Sequence, residues 1–501
     1  MKSIFKAVAT ITLFSLITRL LGFFFRIFMS RKLGAEGMGL YQMAVSVLGI
    51  FMTFVSSGLP LTTAKLTSKY IANNEYKKRN IVVSSSLIIA LGISVFSACI
   101  ILLLKNVWGI ILTDNRAVEI MIILIPSIVF SAIYAVFRGA LWGESDYFNC
   151  GLTELIEQII RFALTFILLL NVSDYFIATK HSAIAFNLTC LASALITIFI
   201  YLKRSKLCFI KGEYKNIIKS ALPVTGVRLA SSLVQPLTTL IIPTMLVLSG
   251  YTSTEAVASF GVIMGMTFPM LFVPMSVIGS ISMVLIPSIS SMMSKKDFST
   301  IENNITQSLE VSIFISMLFI PLYLAVGDLI GIVLFNNTLS GTLLQLAAVC
   351  VLPITLCNLT GSMLNALNLE IKSFVNYIVG SVVLFMSLII FTPLVGINSI
   401  IISFFLSMST ISLLNLNKIK KVLPNFKFNL LKTSAKYLML ALPCGLLGHF
   451  VSNICLHFLN NFFSAVVGGS VSLICIIILT NSFRLYNITE IFKLIKKKRK
   501  T

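Results

Sequence analysis

The chain has 501 residues, is 57% apolar with a mean hydropathy of +0.98, and carries charge at only 11% of its positions. This composition excludes a water-soluble globular protein and a disordered chain, and describes one that crosses a bilayer many times. A net charge of +22 would suggest nucleic acid in a soluble protein, but the basic residues collect in short connections and in the tail, where they set orientation in the membrane.

In chain order, apolar stretches long enough to cross lie near 5–30, 38–62, 81–104, 117–137, 151–171, 183–202, 217–247, 257–287, 308–327, 343–367, 374–392, 396–416, 438–458 and 462–481, fourteen in all. The first reads as a span and not as a cleavable leader, because the apolar run passes signal length, holds two arginines and has no small-residue cleavage site. With the N-terminus in the cytoplasm, most basic residues fall inside: Lys2, Lys6, the 65–79 connection, Arg138, the 203–219 connection, Lys295, Lys296, Lys372, the 418–436 connection and the tail from Arg484 to Lys500. Only Arg31, Lys32, Lys105, Arg116 and Lys180 fall outside. That asymmetry predicts an even number of crossings, with both termini cytoplasmic and the tail against anionic lipid.

A weak internal repeat is present. Pro60 and Pro287, Pro126 and Pro353, Lys69 and Lys296, and Glu75 and Glu302 all keep one offset. The resulting expectation is an all-α polytopic membrane protein with fourteen transmembrane helices, in two parallel six-helix lobes related by an axis along the membrane normal. The lobes would span 1–204 and 205–421, followed by two C-terminal helices within 422–484 and a basic cytoplasmic tail at 485–501.

Charge inside the spans carries the functional signal. Arg19 and Arg26 lie seven residues, about two turns, apart in the first span, so their side chains leave the helix in nearly the same direction. An arginine at the centre of a membrane helix costs about 2.5–3.5 kcal/mol on insertion scales, so it faces a partner or a polar cavity. Arg228, in the seventh span, has no acid within one turn. If the repeat holds, Arg19, Arg26 and Arg228 face one cavity from its two halves, and guanidinium groups suit a phosphate because they stay charged and bind two oxygens at once. In the fifth span Glu154, Glu157, Gln158 and Arg161 share one helical face. They form either an internal Glu157–Arg161 pair, a polar cavity wall, or a site for a coupling cation, Na+ or H+. Pro236, Pro243, Pro269 and Pro274 interrupt two neighbouring spans and are static bends or candidate hinges. Gly261-Val262-Ile263-Met264-Gly265 reads as close helix packing.

Other chemistries are not expected. The nine cysteines and three histidines form no CxxC spacing and no cluster, which argues against disulfides, a metal site or a bound cofactor. No GxxxxGK[ST] loop is present to hydrolyse ATP, and no external connection is large enough for paired glycosyl-transfer acids.

The run Arg19-Leu20-Leu21-Gly22-Phe23, continuing through Arg26 to Arg31-Lys32-Leu33-Gly34-Ala35-Glu36-Gly37-Met38-Gly39-Leu40-Tyr41, resembles the opening of the stage V sporulation protein B family. Ala221-Leu222-Pro223-Val224-Thr225, Gly265-Met266-Thr267-Phe268-Pro269-Met270-Leu271-Phe272-Val273-Pro274 and Leu285-Ile286-Pro287-Ser288-Ile289-Ser290 resemble its seventh and eighth helices, so the likeness covers essentially the whole chain. That family stands with polysaccharide exporters, lipid II flippases and multidrug extruders. The resemblance implies two lobes rocking about a central cavity and transport of undecaprenyl-pyrophosphate-linked saccharide, with peptidoglycan precursor for cortex or wall as the leading candidate. One departure is visible: lipid II flippases of the other branch place their second arginine six residues after the first, where this chain has Phe25, and Arg26 follows about 100° further round the helix.

The expected function is therefore a non-enzymatic flippase for a lipid-linked saccharide, in contact with membrane lipids and cell-wall synthesis enzymes. Two alternatives stand beside it: a cation-coupled multidrug antiporter of the same fold, and a non-transporting membrane scaffold for wall synthesis.

Overall fold

The structure, a computed structural model, describes residues 2–208, 212–294, 297–423, 426 and 428–483, and among them every regular element is a helix. Lys295, Lys296 and the basic tail from Arg484 lie outside the described residues. Contacts group the chain into two compact units, Met1–Gly261 and Val262–Thr501. The first holds α1 (Lys2–Ser56), α2 (Gly58–Ala72), α3 (Tyr76–Leu103), α4 (Lys105–Ile111), α5 (Asn115–Gly143), α6 (Tyr147–Leu168), α7 (Tyr175–Leu202), α8 (Tyr214–Ser232), α9 (Val234–Leu248) and α10 (Ser253–Gly261). It runs past the 204/205 lobe boundary expected from sequence because α8 packs on α2 and α10 packs on α1.

The second unit opens with a π-helical turn (Val262–Thr267) and continues through α11 (Phe268–Leu271), α12 (Val273–Ser294), α13 (Phe298–Phe335) and α14 (Thr338–Leu346). After a 3-10 turn (Ala347–Cys350) come α15 (Val351–Ala366), α16 (Glu370–Val395), α17 (Asn398–Val422), α18 (Leu430–Cys455) and α19 (Asn461–Ser482).

Helix ends follow the local chemistry. Asp114, Asp146, Asp174, Asp297 and Asn337 each accept a backbone N–H of the first turn, which satisfies one of the donors that every helix start leaves open. Asn74, Ser145, Asn336 and Asn368 take left-handed backbone at helix exits, where a short polar side chain tolerates that conformation.

Among the described residues, eleven stretches are long and apolar enough to cross a membrane, which makes this a multi-pass membrane protein. They differ from the expected fourteen in three places. Leu13–Ala72 is a single stretch of 60 residues, far longer than one crossing needs, and is interrupted inside α1 at Gly34 (φ 65°, ψ −171°). α6 carries Glu154, Glu157 and Arg161, and the seventh predicted span is divided at Leu233 into α8 and α9.

The proline positions have separate local consequences. Pro236 follows the Leu233 interruption, Pro269 follows the π-helical turn, and Pro274 follows the turn at Phe272, whereas Pro243 lies inside α9. A proline removes the donor that would reach the carbonyl four residues earlier. For Pro274 that carbonyl is Met270, and the Tyr323 hydroxyl donates to it at 2.6 Å.

The first unit is tied by polar contacts at both ends. At one end Arg79 pairs with Glu144 at 3.3 Å, Ser205 Oγ donates to the same carboxylate at 3.3 Å, and Arg204 pairs with Asp146. At the other, Arg116 pairs with Glu36 at 2.6 Å and Asp114 at 2.7 Å, and Lys180 with Glu119 at 2.8 Å. Between them the helices approach closely: a methyl added to Gly261 would collide with the Ala35 carbonyl oxygen, beside Gly39.

Candidate functional site

A cavity of about 610 Å³ lies within the first unit. Ser131, Tyr134, Arg138 and Trp142 line it from α5, at spacings that keep them on one face. Glu154, Glu157, Gln158 and Arg161 do the same from α6, while Thr18 enters from α1 and Arg228 from α8.

Two of the three arginines are paired. Arg138 Nη2 lies 3.0 Å from Glu154 Oε2, joining α5 to α6. Arg161 pairs with Glu157 one turn earlier and stacks 5.3 Å from the Phe186 ring of α7. Arg228 is exposed and makes no ion pair among the described residues.

Unsatisfied donors gather on the same walls. The hydroxyls of Thr18, Ser57 and Tyr134 and the Nε of Arg161 are buried without a hydrogen-bond partner, and all four residues line the cavity. The Thr153 hydroxyl, beside Tyr134, donates to the Cys150 carbonyl at 3.0 Å and keeps its acceptor capacity. Buried polar groups normally find partners, so this concentration marks a place for water or for a ligand rich in acceptor oxygens.

The structure places the remaining sequence-derived candidates elsewhere. The face of α1 that meets α6 runs through Phe14, Gly22, Phe25 and Phe28: Gly151 of α6 closes on Phe14, Gly22 faces Gln158, and the two later phenylalanines stack on Phe162. Thr18 belongs to that sequence of turns, and Arg19 is one residue, about 100°, further round. Arg19 is exposed and Arg26 is half-buried, and neither lines this cavity. Arg26 lies within electrostatic reach of Tyr41, which also feels Arg161.

Arg138, read from sequence as a connection charge, is instead a wall residue of the cavity inside α5. Its spacing of four from Tyr134 and seven from Ser131 is the signal that identifies it, once the predicted span is extended beyond 137.

This arrangement is a polar, net-positive chamber in an all-helical membrane protein. Residues 4–293 match the family described as "Polysaccharide biosynthesis protein", and the chain belongs to that family. It is 24% identical over 426 residues to the stage V sporulation protein B of Bacillus subtilis (strain 168), covering 82% of each chain. In fold it is similar to an inward-facing multidrug resistance MATE family transporter of the MOP superfamily, with a TM-score of 0.70 at 15% identity, over 84% of this chain and 99% of that one. It is also similar to the lipid II flippase MurJ in an inward closed conformation, with a TM-score of 0.68 at 16% identity, over 94% of this chain and 99% of that one.

Proposed function

We propose that the protein is a flippase that carries a diphosphate-linked saccharide lipid across the cytoplasmic membrane, with lipid II or a similar peptidoglycan precursor as its leading substrate. The observation that carries this reading is the surplus of donors in the cavity: Arg228 without a carboxylate, together with the unpartnered Thr18, Ser57, Tyr134 and Arg161 groups. A diphosphate offers several charged acceptor oxygens to such a surface, and guanidinium groups bind them in pairs. The name of the lipid II flippase, to which the chain is similar, supports the same class of substrate.

In this reading the head group enters the cavity while the polyprenyl chain stays in lipid. Lobes corresponding to 1–204 and 205–421 alternate in access, with Pro236, Pro243, Pro269 and Pro274 as hinge candidates. Both termini are cytoplasmic, as the distribution of basic connections supports. Arg19 and Arg26 of α1, candidates for head-group binding from the sequence, lie outside this cavity and carry no step of this reading; cell-wall synthesis enzymes consume the product.

The test is binding of a short-chain prenyl-diphospho-N-acetylglucosamine to the purified protein, with and without Arg228→Ala. The reading expects at least a tenfold loss of affinity in the variant at unchanged thermal stability. Equal binding by both proteins contradicts the role assigned to Arg228.

A second reading, a cation-coupled drug antiporter, draws on Glu154 and Glu157 in the same cavity and on the MATE-like fold. Both carboxylates are engaged by arginines, which weakens their availability to a cationic drug. Efflux of a cationic dye from vesicles, abolished by Glu154→Gln, would favour it.

A further inference from the structure

The charges around the cavity do not balance its proposed cargo. Arg138, Arg161 and Arg228 stand against Glu154 and Glu157, leaving one positive charge. A disubstituted diphosphate carries one ionised oxygen on each phosphorus, so its arrival leaves one negative charge in a membrane-embedded chamber. An uncompensated charge in that setting is expensive.

We infer that binding of the diphosphate is linked to uptake of one proton from solution by the Glu154/Glu157 pair of carboxylates. This inference rests on the transport reading above and deepens it. Phosphate oxygens replace a carboxylate as the partner of Arg138 or Arg161. The displaced carboxylate takes a proton, and the resulting O–H donates a hydrogen bond to the phosphate. The bond formed is O–H on the glutamate, the proton comes from bulk water, and no electron is transferred.

The geometry favours this exchange. Both ion pairs line the cavity, and each arginine keeps further N–H donors beyond the one its glutamate uses. The Arg138–Glu154 pair is 34% and 41% exposed, so both solvent protons and a ligand can reach it. Other titratable groups face the two carboxylates from each neighbouring element. α5 presents Arg138 and Tyr134, α6 itself presents Arg161 and Cys150, α7 presents Cys190, and α8 presents Arg228. α1 presents Arg26 and Tyr41 further along.

The experiment is titration calorimetry of the full chain with the short-chain prenyl-diphospho-N-acetylglucosamine, in sodium-free buffers of different ionisation enthalpy. The expected result is uptake close to one proton per ligand, lost in Glu154→Gln/Glu157→Gln, which binds at least tenfold more tightly at pH 7.5. Binding by the wild type without proton uptake, or uptake that persists in the double variant, overturns the inference and leaves the transport reading standing. Failure of the wild type to bind the probe overturns both. The wild-type proton count needs no variant, so the inference stays falsifiable if the double variant does not fold.

Discussion

Arg138 Nη2 lies 3.0 Å from Glu154 Oε2, so α5 and α6 share an ion pair on the wall of the cavity that Arg228 enters from α8. The pair spans two helices and is partly exposed, which makes it weak as a fastener and accessible as a binding element.

Arg138→Ala is expected to lower stability by up to a few kcal/mol, because Glu154 is left on the cavity wall without its partner. Head-group binding is expected to fall by at least tenfold. Thermal unfolding and probe binding measured on the same preparation check both halves; unchanged binding contradicts the assignment.

Arg228→Lys is expected to recover only part of the binding lost in Arg228→Ala. Lysine restores the charge but not the planar fork that holds two oxygens together. Full recovery would mean that charge alone matters at this position.

Much of this organisation is legible in the sequence, and the exceptions have physical causes. Apolar length and the uneven placement of Lys and Arg reveal a multi-pass helical protein. The stripe Glu154, Glu157, Gln158 and Arg161 is readable because helical spacing alone puts it on one face, and all four residues line the cavity. Spacing does not fix the rotation of a helix about its own axis, however. Spacing puts Arg19 and Arg26 on one side of α1; Phe14, Gly22, Phe25 and Phe28 of that helix pack on α6, and Thr18 is the α1 residue that lines this cavity. Arg138 is hidden because an arginine at the end of an apolar run resembles a connection charge. The unit boundary at Gly261 depends on which helices α8 and α10 pack against, a long-range property that local composition does not encode.

Gly34→Ala tests the interruption of α1. Its φ of 65° with ψ of −171° is a conformation that side chains disfavour, at a cost of about 1–3 kcal/mol, and an added methyl would also stand 3.3 Å from the Tyr175 ring. The variant is expected to unfold at lower temperature. Adding Tyr175→Ala should not restore it, because the strain is in the backbone; full rescue would assign the effect to the ring contact.

Glu144 gives a pH dependence outside the membrane-spanning segments. Burial holds its carboxyl above the ordinary carboxylate value, with Arg79 and Ser205 opposing the shift. A raised folded value means that the folded state takes up the proton before the unfolded state does as pH falls. Stability from this group therefore rises as pH drops through the raised value toward the ordinary one, and is lost again as pH climbs. Glu144→Gln, which mimics the protonated carboxyl, is expected to flatten that slope and to leave stability near neutral pH unchanged or slightly higher. Unfolding temperatures across the acidic range check the sign, and an unchanged slope in the variant contradicts the assignment.

The most direct measurement is translocation itself, in proteoliposomes carrying a fluorescent undecaprenyl-diphospho-saccharide whose head group can be quenched from one side. The account predicts protein-dependent flipping that falls at least tenfold in Arg228→Ala and in Arg138→Ala, with both variants folded and inserted. Flipping at wild-type rate by the Arg138→Ala/Arg228→Ala double variant would contradict it.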